Sequence, residues 1–560
     1  MIKFTFKSWL ALRKTVYIIG LFCLCQNTSS SSLNDKNSLI SYGKNIYRQG
    51  VMANGQTITA TGQSGSVLTG DVMTCMNCHR RSGYGSSEGD IIAPAITGQM
   101  LFEERQETYK ELSHARSDGI GVRPAYTHET LRRAIRHGMS ANGLQLDAFM
   151  PRFELPDKEI DALIAYLQTL GSKETQGVTD EYIEFATVVT PGVSETRKNA
   201  MSSVLNTYIS DINAGTRKEG RRENNSPWHK SWHYKSYRKW RLHIWALTGE
   251  PETWHQQLAS HYKQQPVFAI ANGIGNNTWK PIDEFCESYE LPCLFPTTDL
   301  PEINDSNFYS IYFSKGMTLE AEIIAHDILN KATSNTINVH QFINSSDPLS
   351  TEAAKALESI LTKNNINSTS HQIHKRNQAD TQTQLQALKP SASNYLVFWG
   401  DYSDVVKHKD IINNAAHLNQ IYLSSTLLGH NINDNFPLHN KEIHLIHRRL
   451  LPEKQRQKLL RFTAWARIKK ITVTDTEAMA NAFFAVNLLT DATKHLRNHT
   501  SQELLIERIE HMVDNTLFHS VYPSLSLAPD QRYASKGGYL LTYQPFNKAH
   551  ITPTTQWVVP

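Results

Sequence analysis

Cysteine is scarce in this chain, six residues in 560, which excludes a small disulfide-dense scaffold. Long apolar runs are also lacking: TVYIIGLFCLC (15–25) is about half of the ~20 residues that a spanning helix needs. Charge of one sign is in short supply, since 57 Lys and Arg stand against 53 Asp and Glu, a formal balance of +4. That is small for 63.5 kDa and selects no partner by net charge. No period of 20–50 residues repeats, so a solenoid or a propeller is excluded.

What is present suggests two or three soluble domains, because the length exceeds what one hydrophobic core serves. At the N-terminus Lys3, Lys7, Arg13 and Lys14 precede the apolar run, and QNTSSSS follows it. This is the layout of a secretory signal over residues 1–31. An uncleaved anchor and a lipid-modified Cys25 are the competing readings; Phe22 and Leu24 fit the second poorly. Four cysteines stay in the mature chain, Cys75, Cys78, Cys286 and Cys293. In an exported protein Cys286 and Cys293, in DEFCESYELPCLF, are either a short-loop disulfide or two buried thiols.

The remainder falls into two styles. Residues 38–171 are Gly-rich and loop-rich, with helical stretches at SLISYGKNIYRQG, THETLRRAIRHG and DKEIDALIAYLQTL. In the last, Ile160, Leu163, Ile164, Leu167 and Leu170 form one apolar stripe. The polar tract 172–180 reads as a linker. From 181 to 560, short runs such as IEFATVV, RLHIWAL, NYLVFWG and EIHLIHR alternate with amphipathic stretches such as TLEAEIIAHDILNKA. Strand and helix in alternation mean βαβ units, mostly parallel sheets and, at this length, two lobes.

The chemistry concentrates in TCMNCHRRSGYG. Two thiols one helical turn apart can add to the two vinyl groups of a haem, and the adjacent His79 is then placed to bind its iron. Zinc would want a second ligand pair at similar spacing, and only Cys286 and Cys293 are available. A thioredoxin-like pair would follow a strand and open a helix, whereas this one follows a Gly-rich loop. A structural disulfide between cysteines this close is the remaining alternative. Covalent haem is the expectation.

At these residues the chain resembles the class I cytochrome c family over 38–171. The resemblance is carried by Gly43 and Tyr47, CMNCH, APAITG, AIRHGMSANG and AFMPRFELPDKEIDALIAYLQTL. It implies an all-α domain holding one covalent haem c through Cys75 and Cys78, with His79 and Met150 as axial ligands and the Pro94 carbonyl fixing the His79 ring. Met139, His137 and Met100 are the rivals of Met150. The stretch ANGQTITATGQSGSVLTGDVMT departs from the family as a long insertion. Arg80 and Arg81 are either a rim that steers an acidic redox partner or two solvated side chains.

From 181 onward the chain resembles type I periplasmic binding proteins of the leucine-binding kind, through IEFATVVTPG, NTYISDINAG, PVFAIANGIGNN, LPCLFP and SIYFSKG. The resemblance implies two α/β lobes with a solute cleft, where Gly275, Asn276, Asn277, Thr278, Thr297 and Thr298 would face the ligand. The basic and aromatic segment 217–241 reads as an insertion or docking patch, not as a nucleic-acid site, because export keeps it from such a ligand. YPSLSLAPDQRYASKGGYLL reads as strand, turn, strand.

Together these readings describe a multidomain periplasmic electron carrier rather than an enzyme, an all-α cytochrome c domain followed by a two-lobed α/β periplasmic-binding-protein-like domain; an enzyme acting at an open haem site would require that Met150 not bind the iron. Its partners would be a redox protein such as a periplasmic dehydrogenase and a small-molecule solute. No nucleic acid is expected, and a membrane only through an uncleaved signal. The alternative is a solute receptor for transport or sensing with an accessory haem.

Overall fold

The computed structural model describes residues 36–560 apart from 63, 90, 107–121, 172–174, 226–237, 332–336, 374–381, 384, 388–392, 430–436, 439–441, 497–498, 530 and 544–553. The secretory signal expected over 1–31 lies outside the described residues, as does much of segment 217–241. Among the described residues no helix is long and apolar enough to cross a membrane. The chain divides into two compact units, Met1–Glu174 and Thr175–Pro560.

The first unit is built on helix α1 (36–49) crossing α5 (Asp157–Thr169). Gly43 permits the crossing: a Cβ there would stand 2.0 Å from the Ala162 carbonyl oxygen, so any side chain would force the helices apart. The α5 stripe Ile160, Leu163, Ile164 and Leu167 is buried with Ile46 and Tyr47 of α1, and the Tyr47 and Tyr166 rings lie 5.3 Å apart. Between them come the single-turn α2 (Cys75–His79), α3 (Gly98–Phe102) and α4 (His128–His137). α4 opens on a reciprocal Thr127–Thr130 capping box and stops at Gly138, whose φ of 66° suits glycine.

The expectation that this unit is all-α needs correction. It also contains β1 (Thr59–Thr61), β2 (Val67–Thr69), β3 (Ser86–Glu88), β4 (Ile91–Ala93), β5 (Arg105–Gln106), β6 (Val122–Arg123) and β7 (Arg152–Phe153). The cause of the first sheet is the long insertion: it folds back as the β1–β2 hairpin, and Ala60 pairs with Phe153 of β7. Strand pairing thus ties the insertion to the segment just after Met150.

The second unit has two α/β lobes. Lobe 1 contains β8 (Tyr182–Val189), β9 (Lys239–Ala246), β10 (Ala269–Ala271), β11 (Cys293–Leu294) and β12 (Ser310–Ser314), with α6 (Glu195–Asn225), α7 (Trp254–Gln264) and α8 (Lys280–Ser288). α9 (Met317–Lys331) leads into lobe 2, which contains β13 (Ile337–Ile343), α10 (Pro348–Lys363), β14 (Asn367–Gln372), β15 (Ser393–Trp399), α11 (Tyr402–Asn413), β16 (Leu418–Ser424) and β17 (Glu442–His447). The chain then returns to lobe 1 as α12 (Pro452–Lys458), α13 (Leu460–Ile468), α14 (Thr476–Leu496), α15 (Gln502–Met512) and β18 (Tyr533–Ser535). It ends in lobe 2 as β19 (Gly538–Tyr543) and β20 (Thr554–Val558).

The sheet orders are β18-β12-β11-β10-β8-β9 and β14-β13-β15-β16-β17-β19-β20. The first is parallel throughout; the second adds two antiparallel strands at one edge. Most central strands are buried on both faces, which is why they read as continuous apolar runs. Two expected features change here. Thr175–Asp180, taken as linker, is built into the second unit, where Gly177 accepts a hydrogen bond from the Glu184 amide. The strand, turn, strand reading of 522–541 holds for Tyr533–Ser535 and Gly538–Tyr543, but the turn carries the chain from one lobe to the other.

Candidate functional site

α2 is a single turn because Thr74 before it is extended and Arg80 after it adopts φ 63°. A non-glycine residue in that region is uncommon, and here the Tyr47 hydroxyl donates to the Arg80 carbonyl at 2.7 Å. The terminus is tied further by the Gly85 amide on the His79 carbonyl and the Ser86 hydroxyl on the Cys78 carbonyl. Cys75, Cys78 and His79 are therefore presented from one pinned turn.

Cys75 and Cys78 are thiols and not a disulfide. Burial pushes the Cys75 thiol up to about 12, so it is not the low-pKa thiolate of a dithiol redox centre. Zinc loses its other candidate ligands, because Cys286 and Cys293 are joined in a disulfide within lobe 1.

His79 Nδ1 lies 2.8 Å from the Pro94 carbonyl oxygen. A carbonyl only accepts, so Nδ1 carries the proton and Nε2 keeps its lone pair. Burial lowers the His79 pKa, opposed by that same hydrogen bond, which keeps the ring neutral as an iron ligand requires. Ile91 and Ile92, just before Ala93 and Pro94, and Leu144 and Phe149, in the loop to Met150, are exposed apolar residues. The donor set and this apolar surface both suit a haem.

Met150 is half-buried at the end of a turn closed by its amide on the Asp147 carbonyl. Arg152 organises this loop and was not singled out in the sequence. Its guanidinium donates to the carbonyls of Met150 and Leu146 and lies against Gly138, where a Cβ would be 2.0 Å from Cζ. The MPRF context held the only sign of it. Of the rivals, Met139 forms an isolated bridge with Gln145, His137 is exposed at the end of α4, and Met100 is half-buried in α3.

The expected solute residues meet at the carboxyl ends of β10 and β11, where Ile274 bridges Thr297 and the Gly275 amide donates to the Thr297 carbonyl. Their polar groups serve local contacts. Asn276 bonds the Gly192 carbonyl and Arg197, the Thr278 hydroxyl accepts the Lys280 amide at the start of α8, and Asn277 is exposed. Thr297 accepts from Asn481, and Thr298 from the Leu300 amide.

Beside them runs a charge network that the sequence concealed. Arg448, wholly buried, donates to Glu320 of lobe 2 at 2.8 Å, to Asp299 of lobe 1 at 2.5 Å, and to Ser314 and Thr426. Burial opposes its charge, but Asp299 and Glu320 outweigh that and raise its pKa well above the ordinary value. Arg449 pairs with Glu477 and Asp299, and Arg197 with Asp475 and Glu477.

No curated protein sequence matches this chain. Among solved structures, it is similar to the leucine-binding protein LivK of Thermotoga maritima, at 12% identity over 68% of this chain and 99% of that one, TM-score 0.42. It is similar to the branched-chain amino acid transporter substrate-binding protein LivJ of Streptococcus pneumoniae, solved with isoleucine, at 11% over 68% and 100%, TM-score 0.43. A branched-chain amino acid transporter protein of Thermus thermophilus with bound valine gives 9% over 68% and 97%, TM-score 0.44. The two-lobed assignment stands on the strand order described above. Residues 53–171 match the family model described as cytochrome c, so the chain carries a cytochrome c domain, which implies haem c, ahead of its two-lobed unit.

Proposed function

We propose that this chain is an exported, periplasmic c-type cytochrome. It would move single electrons, with Cys75 and Cys78 tethering one haem and His79 and Met150 as its axial ligands. The hydrogen bond from His79 Nδ1 to Pro94 carries the reading, since it leaves Nε2 for the iron. A haem held by His and Met supplies one-electron transfer, and both axial positions are filled. Around it, Tyr47 and Arg80 fix the attachment turn and Arg152 fixes the loop of Met150. The ferric protein should show the weak red charge-transfer absorption of a sulfur ligand, and Met150→Ala should abolish it. Its absence from the wild type would overturn the axial assignment.

The second unit would act as a scaffold that docks a redox partner such as a periplasmic dehydrogenase. The support is the Arg448 network, which joins Asp299 of one lobe to Glu320 of the other with charges supplied by the chain itself. A solute receptor with an accessory haem is the rival reading, supported by the two-lobed architecture. A thermal-shift screen of amino acids and small organic anions separates them: a scaffold shows no saturable stabilisation, whereas a receptor rises as RT ln(1 + [L]/Kd).

A further inference from the structure

The strongest unexplained surface is on lobe 1. The inner face of α13 is fixed, with Phe462 and Trp465 packed on Phe483 at ring distances of 5.6 and 4.9 Å. Its outer face carries Leu460, Ala464 and Ile468 at i, i+4 and i+8, all exposed. Leu460 is 64% and Ile468 75% accessible, which is far more than scattered surface apolar residues need. Leu517, 62% accessible, stands nearby, next to Phe518, whose ring lies 6.0 Å from the Arg461 guanidinium.

Arg461 and Arg467 flank this ridge on the same helix, with Arg456 and Lys458 on α12 before it and Lys470 just past its end. All five are exposed, and none forms an ion pair among the described residues, whereas Lys454 lies over the Tyr539 ring of β19. Glu453 and Asp514 are the exposed acids in the same segments. Lys458 and Arg461 stand near His519, whose pKa is lowered first by burial and then by their two charges. Lys469 holds Asp211 of α6.

We propose that this face docks the chain on an anionic phospholipid surface. Aliphatic side chains on a ridge, with cations on both flanks, can enter the acyl boundary while Lys and Arg remain at the phosphates. A protein partner of the same charge would call for a socket or for aromatic anchors, whereas the ridge offers protruding Leu and Ile. The proposal is independent of the haem reading and of the scaffold reading.

The test is co-sedimentation of the full chain with vesicles of phosphatidylcholine alone, or with roughly one-third phosphatidylglycerol. The bound fraction should rise about ten-fold with the anionic lipid and fall again in salt on the order of 0.5 M. Leu460→Asp with Ile468→Asp, and separately Arg456→Gln with Arg467→Gln, should each reduce binding about ten-fold or more. Their unfolding temperatures report that the fold is kept. Since the N-terminal apolar run is unchanged in both variants, binding equal to wild type in both would overturn the proposal. So would equal binding to neutral and anionic vesicles, or none, including the case of an acidic protein as the true partner.

Discussion

The two units treat their polar chemistry in opposite ways. In the first, Cys78 and the apolar residues beside Pro94 and Met150 are exposed, and His79 points one nitrogen at a carbonyl and keeps the other for a ligand. In the second, Arg448 is buried among Asp299, Glu320, Ser314 and Thr426, all its partners belonging to the chain. The first unit presents donors for an added group, whereas the second pairs the charges of this network with one another, with Glu320 Oε2, Arg449 Nε and Asn481 Oδ1 buried without a hydrogen-bond partner among the described residues. A scarce motif of local chemistry is therefore more legible in a sequence than a dense charge network assembled from distant segments.

The largest effect that would break this contrast is at the attachment turn. Cys75→Ser with Cys78→Ser should remove all haem that survives a denaturing gel, detected by peroxidase stain, while leaving the unfolding of the second unit unchanged. Haem that stays bound through the gel would mean that these thiols are not the tethers. Next, Arg448→Met should cost the second unit about 3–5 kcal/mol in denaturant unfolding, because it leaves the buried Glu320 carboxylate without its cation, while Asp299 keeps Arg449. The haem absorption should not move. A loss below about 1 kcal/mol would show the network to be ornamental.

The smallest effect concerns His447, whose ring is hydrogen-bonded to Ser425. Burial, then the charges of Arg449 and Arg448, lower its pKa to about 3. The unfolded ring takes up a proton near pH 6.5 while the folded one does not. Its contribution is thus complete above pH 6.5 and lost progressively as pH falls from 6.5 toward 3. Between pH 7.5 and 5 the second unit should lose about 2 kcal/mol through this group. His447→Gln should flatten the curve by that amount.

How much was legible follows from the same physics. Runs such as NYLVFWG and EIHLIHR were readable as strands because their residues are buried on both faces of a parallel sheet. CMNCH was readable because its chemistry is local. TAT and VLT were not, since three-residue strands rich in hydroxyls exist only through pairing with each other and with Arg152–Phe153. Arg448 and Arg449 end an apolar strand and look like solvated charges; their partners lie far away in sequence, so no pattern revealed them. Arg152 was hidden for the opposite reason, being too close to the Met-Pro pair to be noticed as its support.

The late turn at Ser535–Gly538 has a consequence for biogenesis. Tyr312 of β12 pairs with Tyr533 of β18, so the first lobe begun is closed only after β13–β17 of the second have been made. The first unit draws its core and its first sheet from residues before 171. Domains fold as units, N-terminal first during synthesis. With haem attached as proposed, attachment would not wait for the lobes, and a truncation before residue 533 should yield a coloured but aggregation-prone protein, its β12 edge left unpaired.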